Sequence, residues 1–163
     1  VGMALTLPIS SAALCIAIGL SGIAAGAATA GCCAQMVGFA VMSFKENRWS
    51  GIISQGIGTS MLQMPNIIKN PVIWIPPTLT AAITGPISTC IFQLENTPIG
   101  AGMGTCGLVG PFGIISAMPQ GGTKMWIGIL LVCFVLPAVL SLFFAEILRK
   151  LNLIKTNDLK LPQ

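Results

Sequence analysis

Charge is what this sequence lacks, and the few charged positions divide it almost by themselves. Eight Lys or Arg and four Asp or Glu are spread over 163 residues. They sit at Lys45, Glu46 and Arg48, then singly at Lys69, Glu95 and Lys124, then at Glu146, Arg149, Lys150, Lys155, Asp158 and Lys160. Between them lie uncharged stretches of about 44, 20, 25, 28 and 21 residues, against the roughly 20 that carry a helix across the hydrocarbon core. Only 7% of the chain is charged and 54% is hydrophobic, whereas soluble domains carry about a quarter charged residues. A water-soluble globule is excluded, and the pattern predicts an all-α integral membrane protein of several passes.

The cations also predict an orientation. Arg149 and Lys150 follow the apolar run from Met125 to Ile147, and Lys45 and Arg48 follow another. Both flanks fall on the cytoplasmic side by the positive-inside rule, which requires an even number of crossings between them. Residues 1–148 read as the transmembrane domain and 149–163 as a solvated cytoplasmic tail, with binding of the tail to anionic lipid as the alternative. The net charge of +4 comes largely from that tail, so no basic stripe for nucleic acid is present.

Along the chain, Leu5 to Leu20 reads as a membrane helix with Pro8 near its start. From Gly19 to Gly38 runs GLSGIAAGAATAGCCAQMVG, where Gly22, Gly26 and Ala30 recur every four residues and admit a close neighbour. This helix continues to Phe44 and ends in a loop at Lys45–Arg48, with Trp49 at headgroup depth. Residues 51 to 70, GIISQGIGTSMLQMPNIIKN, carry Gly51, Gly56, Gly58, Pro65 and the four carboxamides Gln55, Gln63, Asn66 and Asn70. Irregular backbone at membrane depth survives only where protein or a watery cavity covers it, so a Gly-rich re-entrant hairpin is predicted.

Pro71 to Leu94 is a crossing helix broken by Pro76-Pro77 and Gly85-Pro86. From Glu95 to Gly122 six closely spaced glycines, at 100, 102, 104, 107, 110 and 113, disfavour a straight helix by about 1 kcal/mol each and predict a second re-entrant hairpin. Lys124 to Leu148 is the cleanest crossing, kinked at Pro137. Gly56-Ile57-Gly58-Thr59-Ser60 and Gly102-Met103-Gly104-Thr105-Cys106 share a G-x-G-T-small pattern, and repeated hairpin-plus-helix units around a site are a transporter device.

Glu95 is an ionisable group between two long uncharged stretches, a functional hypothesis by default. With Asn96 and Thr97 it offers acceptors and donors for sugar hydroxyls. The backbone of Gly100, Gly102, Gly104 and Thr105 can point at the same solute, as in broken-helix sites, with close packing of the hairpin tip as the alternative. Gln63 and Asn66 line the cavity from the other hairpin as secondary candidates, while Lys69 reads as a snorkelling cation. The G-x-G-x-x-G at 102–107 lacks the βαβ unit a nucleotide site requires. Cys15, Cys32, Cys33, Cys90, Cys106 and Cys133 have neither His nor CxxC spacing beside them, so no metal or redox centre is expected. No cofactor is expected either, and catalysis has little support without His.

The stretches SGIAAGAATAGCCAQMVGFAVMSFKEN, GIGTSMLQMPNIIKNPVIWIPPTL and AAITGPISTCIFQLENTPIGAGMGTCGLVGPFG, with the ending AEILRKLNLIKTNDLKL, resemble the C-terminal part of phosphotransferase-system IIC-like membrane proteins, which include PfoR-type regulators. The resemblance implies a multi-pass protein of the bacterial cytoplasmic membrane related to sugar permeases. It further implies a small polar solute, a sugar above all, as substrate. A membrane portion N-terminal to this region is implied as partner, beside membrane lipids. Close packing of Gly-rich helices adds a homo-oligomer. A membrane sensor that binds without transporting is the alternative, since no phosphoryl-carrying His or Cys domain is recognisable.

Overall fold

A computed structural model describes residues 1–161, and among these the chain is helical, with one isolated backbone bridge between Gly22 and Asn96. Helix α3, Gly22–Met42, is the axle. Its small residues let neighbours close in on every side, and two thirds of it is buried inside the protein. Two further helices are long and apolar enough to cross a membrane: Pro71–Phe92 and Gly122–Lys150. The former contains α6, Ile75–Pro86, and the latter α9, Gly122–Leu130, and α10, Leu136–Lys150. Their outer faces carry Leu79, Trp126, Leu130, Val139 and Phe143 in the open, a surface that hydrocarbon covers at no cost and water does not.

Pairing at the two ends fixes their directions. Lys45 Nζ meets Glu146 at 3.0 Å and Arg149 meets Glu46 at 3.1 Å, so α3 and α10 finish together. Asn70, just before the Pro71 helix, donates to the Leu153 carbonyl and to Asp158 at the same end. At the opposite end Gly22 exchanges two backbone hydrogen bonds with Asn96, and Gly128 packs against Phe92 and Leu94. The first and third long helices therefore run parallel and the second antiparallel.

Neither Gly-rich segment folds as one straight helix. Residues 52–69 start beside α4, Phe44–Gly51, wind through a wide turn at Ile52–Gly58, become extended at Thr59, and return through a tight turn into α5, Met64–Lys69. From Glu95 the chain runs through α7, Pro98–Met103, reverses over Gly104–Leu108 and returns along α8, Val109–Ala117. Gly104 at φ 55° and Gly107 at φ 53° make that reversal, a conformation glycine adopts without strain.

Four expectations change. Leu5 to Leu20 is two short helices, α1 Gly2–Thr6 and α2 Ser11–Ala17. Pro8 has no N–H and forces Leu7 to extend (ψ 159°), and Ser10 restarts the helix by accepting from Ala13 N. The Lys45–Arg48 loop is helical, with one non-helical residue at Arg48. In the Pro71 helix the interruption is a change of winding rather than a gap. Pro76 and Pro77 occupy the first turn, where no N–H is needed, and Pro86 is followed by a wide turn at Ile87–Phe92. The Thr89 hydroxyl there donates back to the carbonyls of Gly85 and Pro86.

The fourth concerns the tail, which is docked rather than solvated. Ile154 and Leu159 are buried among Phe39, Met42, Ile67 and Ile73. Carboxamides hold its backbone: Asn47 and Gln63 donate to the Leu159 carbonyl at 2.8 and 3.0 Å, and Asn66 donates to that of Lys160 at 2.9 Å.

Candidate functional site

The breaks in the chain converge on the middle of α3. Gly2 of α1 lies against the Gly31 backbone, and Gly104 at the α7–α8 reversal lies against Cys32. The Thr105 hydroxyl donates to the Gly56 carbonyl at 2.6 Å and lies 3.6 Å from Met36 Sδ. The two Gly-x-Gly-Thr segments singled out by their shared pattern thus touch, one contributing a carbonyl and the other a hydroxyl.

Beside that contact stands Gln35, fully buried on α3. Its Oε1 accepts from Thr6 Oγ1 at 3.4 Å and from Trp74 Nε1 at 3.1 Å, and its Nε2 donates to Thr78 Oγ1 at 3.3 Å. Thr6 and Ser60 share a further hydrogen bond of 3.0 Å. Ser60 follows the extended Thr59, so it belongs to the tip of the first Gly-rich segment. Trp74 and Thr78 also wall a hollow of about 250 Å³ with Met3, Pro71, Ile75 and Leu79. The cluster is neutral, and its donors and acceptors satisfy one another, as burial demands. Chemically it can exchange hydrogen bonds with a polyhydroxylated solute and offer an indole face, without charge.

The residues expected in the site are spread over three levels of α3. Glu95, Asn96 and Thr97 lie beside its first turn, where Asn96 pairs with Gly22, about 16 Å along the axis from Cys33 at 1.5 Å per residue. Glu95 is half-buried; its backbone N–H points at Met118 Sδ at 3.2 Å, and its carboxylate forms no ion pair among the described residues. Asn96 is committed to the fold. Its Nδ2 donates to Thr29 Oγ1 (2.7 Å) and the Gly110 carbonyl (3.0 Å), and its Oδ1 accepts from Thr97 N at 2.7 Å. Thr97 caps α7 by accepting from Gly100 N.

Gly100 closes on the Asn96 carboxamide, and Gly102 on the backbone of Ser11 and Ala12, whose neighbouring Ser11 hydroxyl donates to the Gly102 carbonyl at 2.6 Å. Gly104 and Thr105 alone of this group reach the middle level. Gln63 and Asn66 lie at the Lys45 end, in a carboxamide chain: Gln55 donates to Ser43, Gln63 to Gln55 and Asn66 to Gln63, at 2.7, 2.8 and 2.8 Å. The tail covers them.

Gln35, Thr6, Ser60, Trp74 and Thr78 were not among the sequence candidates. Gln35 carried a signal, being the one carboxamide between Gly22 and Met42. The others are ordinary hydroxyls and an indole until the fold gathers them. The small-residue stripe behaves differently from a helix-packing seam: a Cβ on Gly26 would overlap the Leu94 carbonyl, so the stripe receives the crossing backbone of Leu94–Asn96.

Over residues 1–161 the chain matches the family model described as "Phosphotransferase system, EIIC". It belongs to that family, and with its three long apolar helices it is a membrane protein. No curated protein and no solved structure matches it.

Proposed function

We propose that this EIIC-family chain forms the solute-handling part of a carbohydrate permease of the bacterial cytoplasmic membrane. One observation carries the reading: the turns of the two Gly-rich segments touch through Thr105 and Gly56, beside a buried, uncharged hydrogen-bonding cluster around Gln35 of α3. Transporters commonly bind substrate near the midplane, where broken helices expose backbone groups. In this reading both Gly-rich segments are re-entrant and the Lys45 end faces the cytoplasm.

Gln35, Thr6, Ser60, Trp74, Thr78 and Thr105 then exchange their mutual hydrogen bonds for those of sugar hydroxyls, with the Gly104 backbone beside them. Glu95, with Asn96, Thr97, Gly100 and Gly102 behind it, forms the mouth at one end. Gln63 and Asn66 form the mouth at the other, beneath the docked tail. The family's name supports a sugar as solute, and the neutrality of the middle cluster favours an uncharged one, because an ion there would meet no counter-charge.

The test is uptake by the purified full-length protein in liposomes. Glu95→Gln is expected to reduce solute entry at least tenfold while the protein stays folded, and Gln35→Leu to abolish it. Unchanged entry in both variants removes the site from this path. Saturable binding with no accumulation or exchange in the parent protein identifies a sensor in place of a permease.

A further inference from the structure

A groove of about 300 Å³ opens at the Lys45 end between α3, α4 and α10, with Val41, Trp49, Ile52 and Leu142 among its walls. A polar hollow of about 340 Å³, walled by Asn152, Lys155 and Thr156 among others, lies beside it. Lys45 and Arg149 line both. One apolar slot and one cationic hollow thus share a wall made of two cations. Three cations line the hollow, Lys45, Arg149 and Lys155, against Glu46 alone.

We propose that this paired cavity binds an anionic phospholipid of the surrounding bilayer. One acyl chain lies in the groove, the phosphate sits between Lys45 and Arg149, and the rest of the headgroup reaches Lys155. Three observations support that occupant. Trp49, at 70% exposure, stands at the lip of the groove, where indoles mark headgroup depth. Among the described residues Lys45 is held only by an open ion pair, with side-chain exposures of 68% and 50% for it and Glu146; such a pair contributes little and yields Lys45 to a phosphate.

The third is Arg149. Its Nη2 is spent on the Met42 carbonyl and the nearly buried Glu46, while its Nε is buried with no partner among the described residues. A buried donor of that kind is costly unless something accepts from the guanidinium. A phosphate oxygen at the shared wall is the acceptor the chemistry calls for, and guanidinium and phosphate match in geometry. The site is independent of the transport reading.

The experiment is a phospholipid titration of the purified full-length protein in detergent, counting bound molecules by native mass spectrometry. Dioleoylphosphatidylglycerol and dioleoylphosphatidylcholine are compared. The expected result is at least a tenfold preference for the anionic lipid. Lys45→Ala and Lys155→Ala should each weaken its binding about fivefold, as expected for one juxtamembrane cation. Lys69→Ala, an exposed cation that lines neither cavity, should leave binding unchanged. Leu142→Trp, which fills the groove, should weaken binding about tenfold, with circular dichroism confirming that helix content is kept. Equal binding of the two lipids overturns the proposal, as does an effect of Lys69→Ala as large as that of Lys45→Ala, or full binding in Leu142→Trp.

Discussion

At the scale of single residues, Asn96 and Gly26 hold more of the fold than their size suggests. Asn96 ties α3, α7 and α8 through Thr29, Thr97 and Gly110. Asn96→Ala removes the partners of the Gly110 carbonyl and the Thr97 amide, while the Thr29 hydroxyl keeps its bond to the Ala25 carbonyl; at about 1–3 kcal/mol for each unsatisfied group the change is expected to lower stability by at least 2 kcal/mol in denaturant unfolding. An unchanged midpoint contradicts this. Glycines separate in the same way. Gly26→Ala has no room beside the Leu94 carbonyl and is expected to prevent folding, whereas a Cβ at Gly85 meets open space. Gly85→Ala is expected to be neutral or stabilising by up to about 1 kcal/mol. Sequence spacing marked Gly26 as a contact point but assigned the contact to a helix. Nothing in a four-residue repeat distinguishes a neighbouring helix from a crossing strand of backbone.

At the scale of elements, what was legible followed from charge and glycine. The all-helical fold and its three long apolar helices follow from where charges are missing, and the interrupted helices at 51–70 and 95–122 from where glycine makes a straight helix too costly. The docking of the tail is hidden in the sequence because nine polar or charged residues mask two buried ones, Ile154 and Leu159, and because its partners are carboxamides far upstream. Docking makes a prediction: Leu159→Ala removes a buried side chain from the Phe39–Ile73 cluster and is expected to cost about 2–4 kcal/mol and to open the tail to protease. A solvated tail would show neither effect. The candidate site was half legible. Thr105 was recognised through its motif, but Gln35 lies in an apolar helix whose periodicity says nothing about which hydroxyls fold against it.

At the scale of the whole molecule, the two ion pairs and the Asn70–Asp158 hydrogen bond place Lys45, the tail and Asn70 at one end, and the Gly22–Asn96 pairing places Glu95 at the other. In a background without native cysteines, Lys45→Cys and Lys155→Cys are expected to react with an impermeant thiol reagent from one side of the membrane. Lys124→Cys, at the start of the 122–150 helix, is expected to react from the opposite side. Labelling of Lys45→Cys and Lys155→Cys from opposite sides would contradict the parallel course of α3 and α10.

The account rests most heavily on the polar cluster at the middle of α3 being a place where solute binds. A ligand that binds only the folded protein raises its stability by mass action. The direct measurement is the thermal stability of the full-length protein in detergent against a panel of sugars, polyols and sugar phosphates, with Gln35→Leu alongside. The account predicts a saturable rise with at least one uncharged carbohydrate, absent in Gln35→Leu. No rise with any compound, or the same rise in the variant, would contradict it.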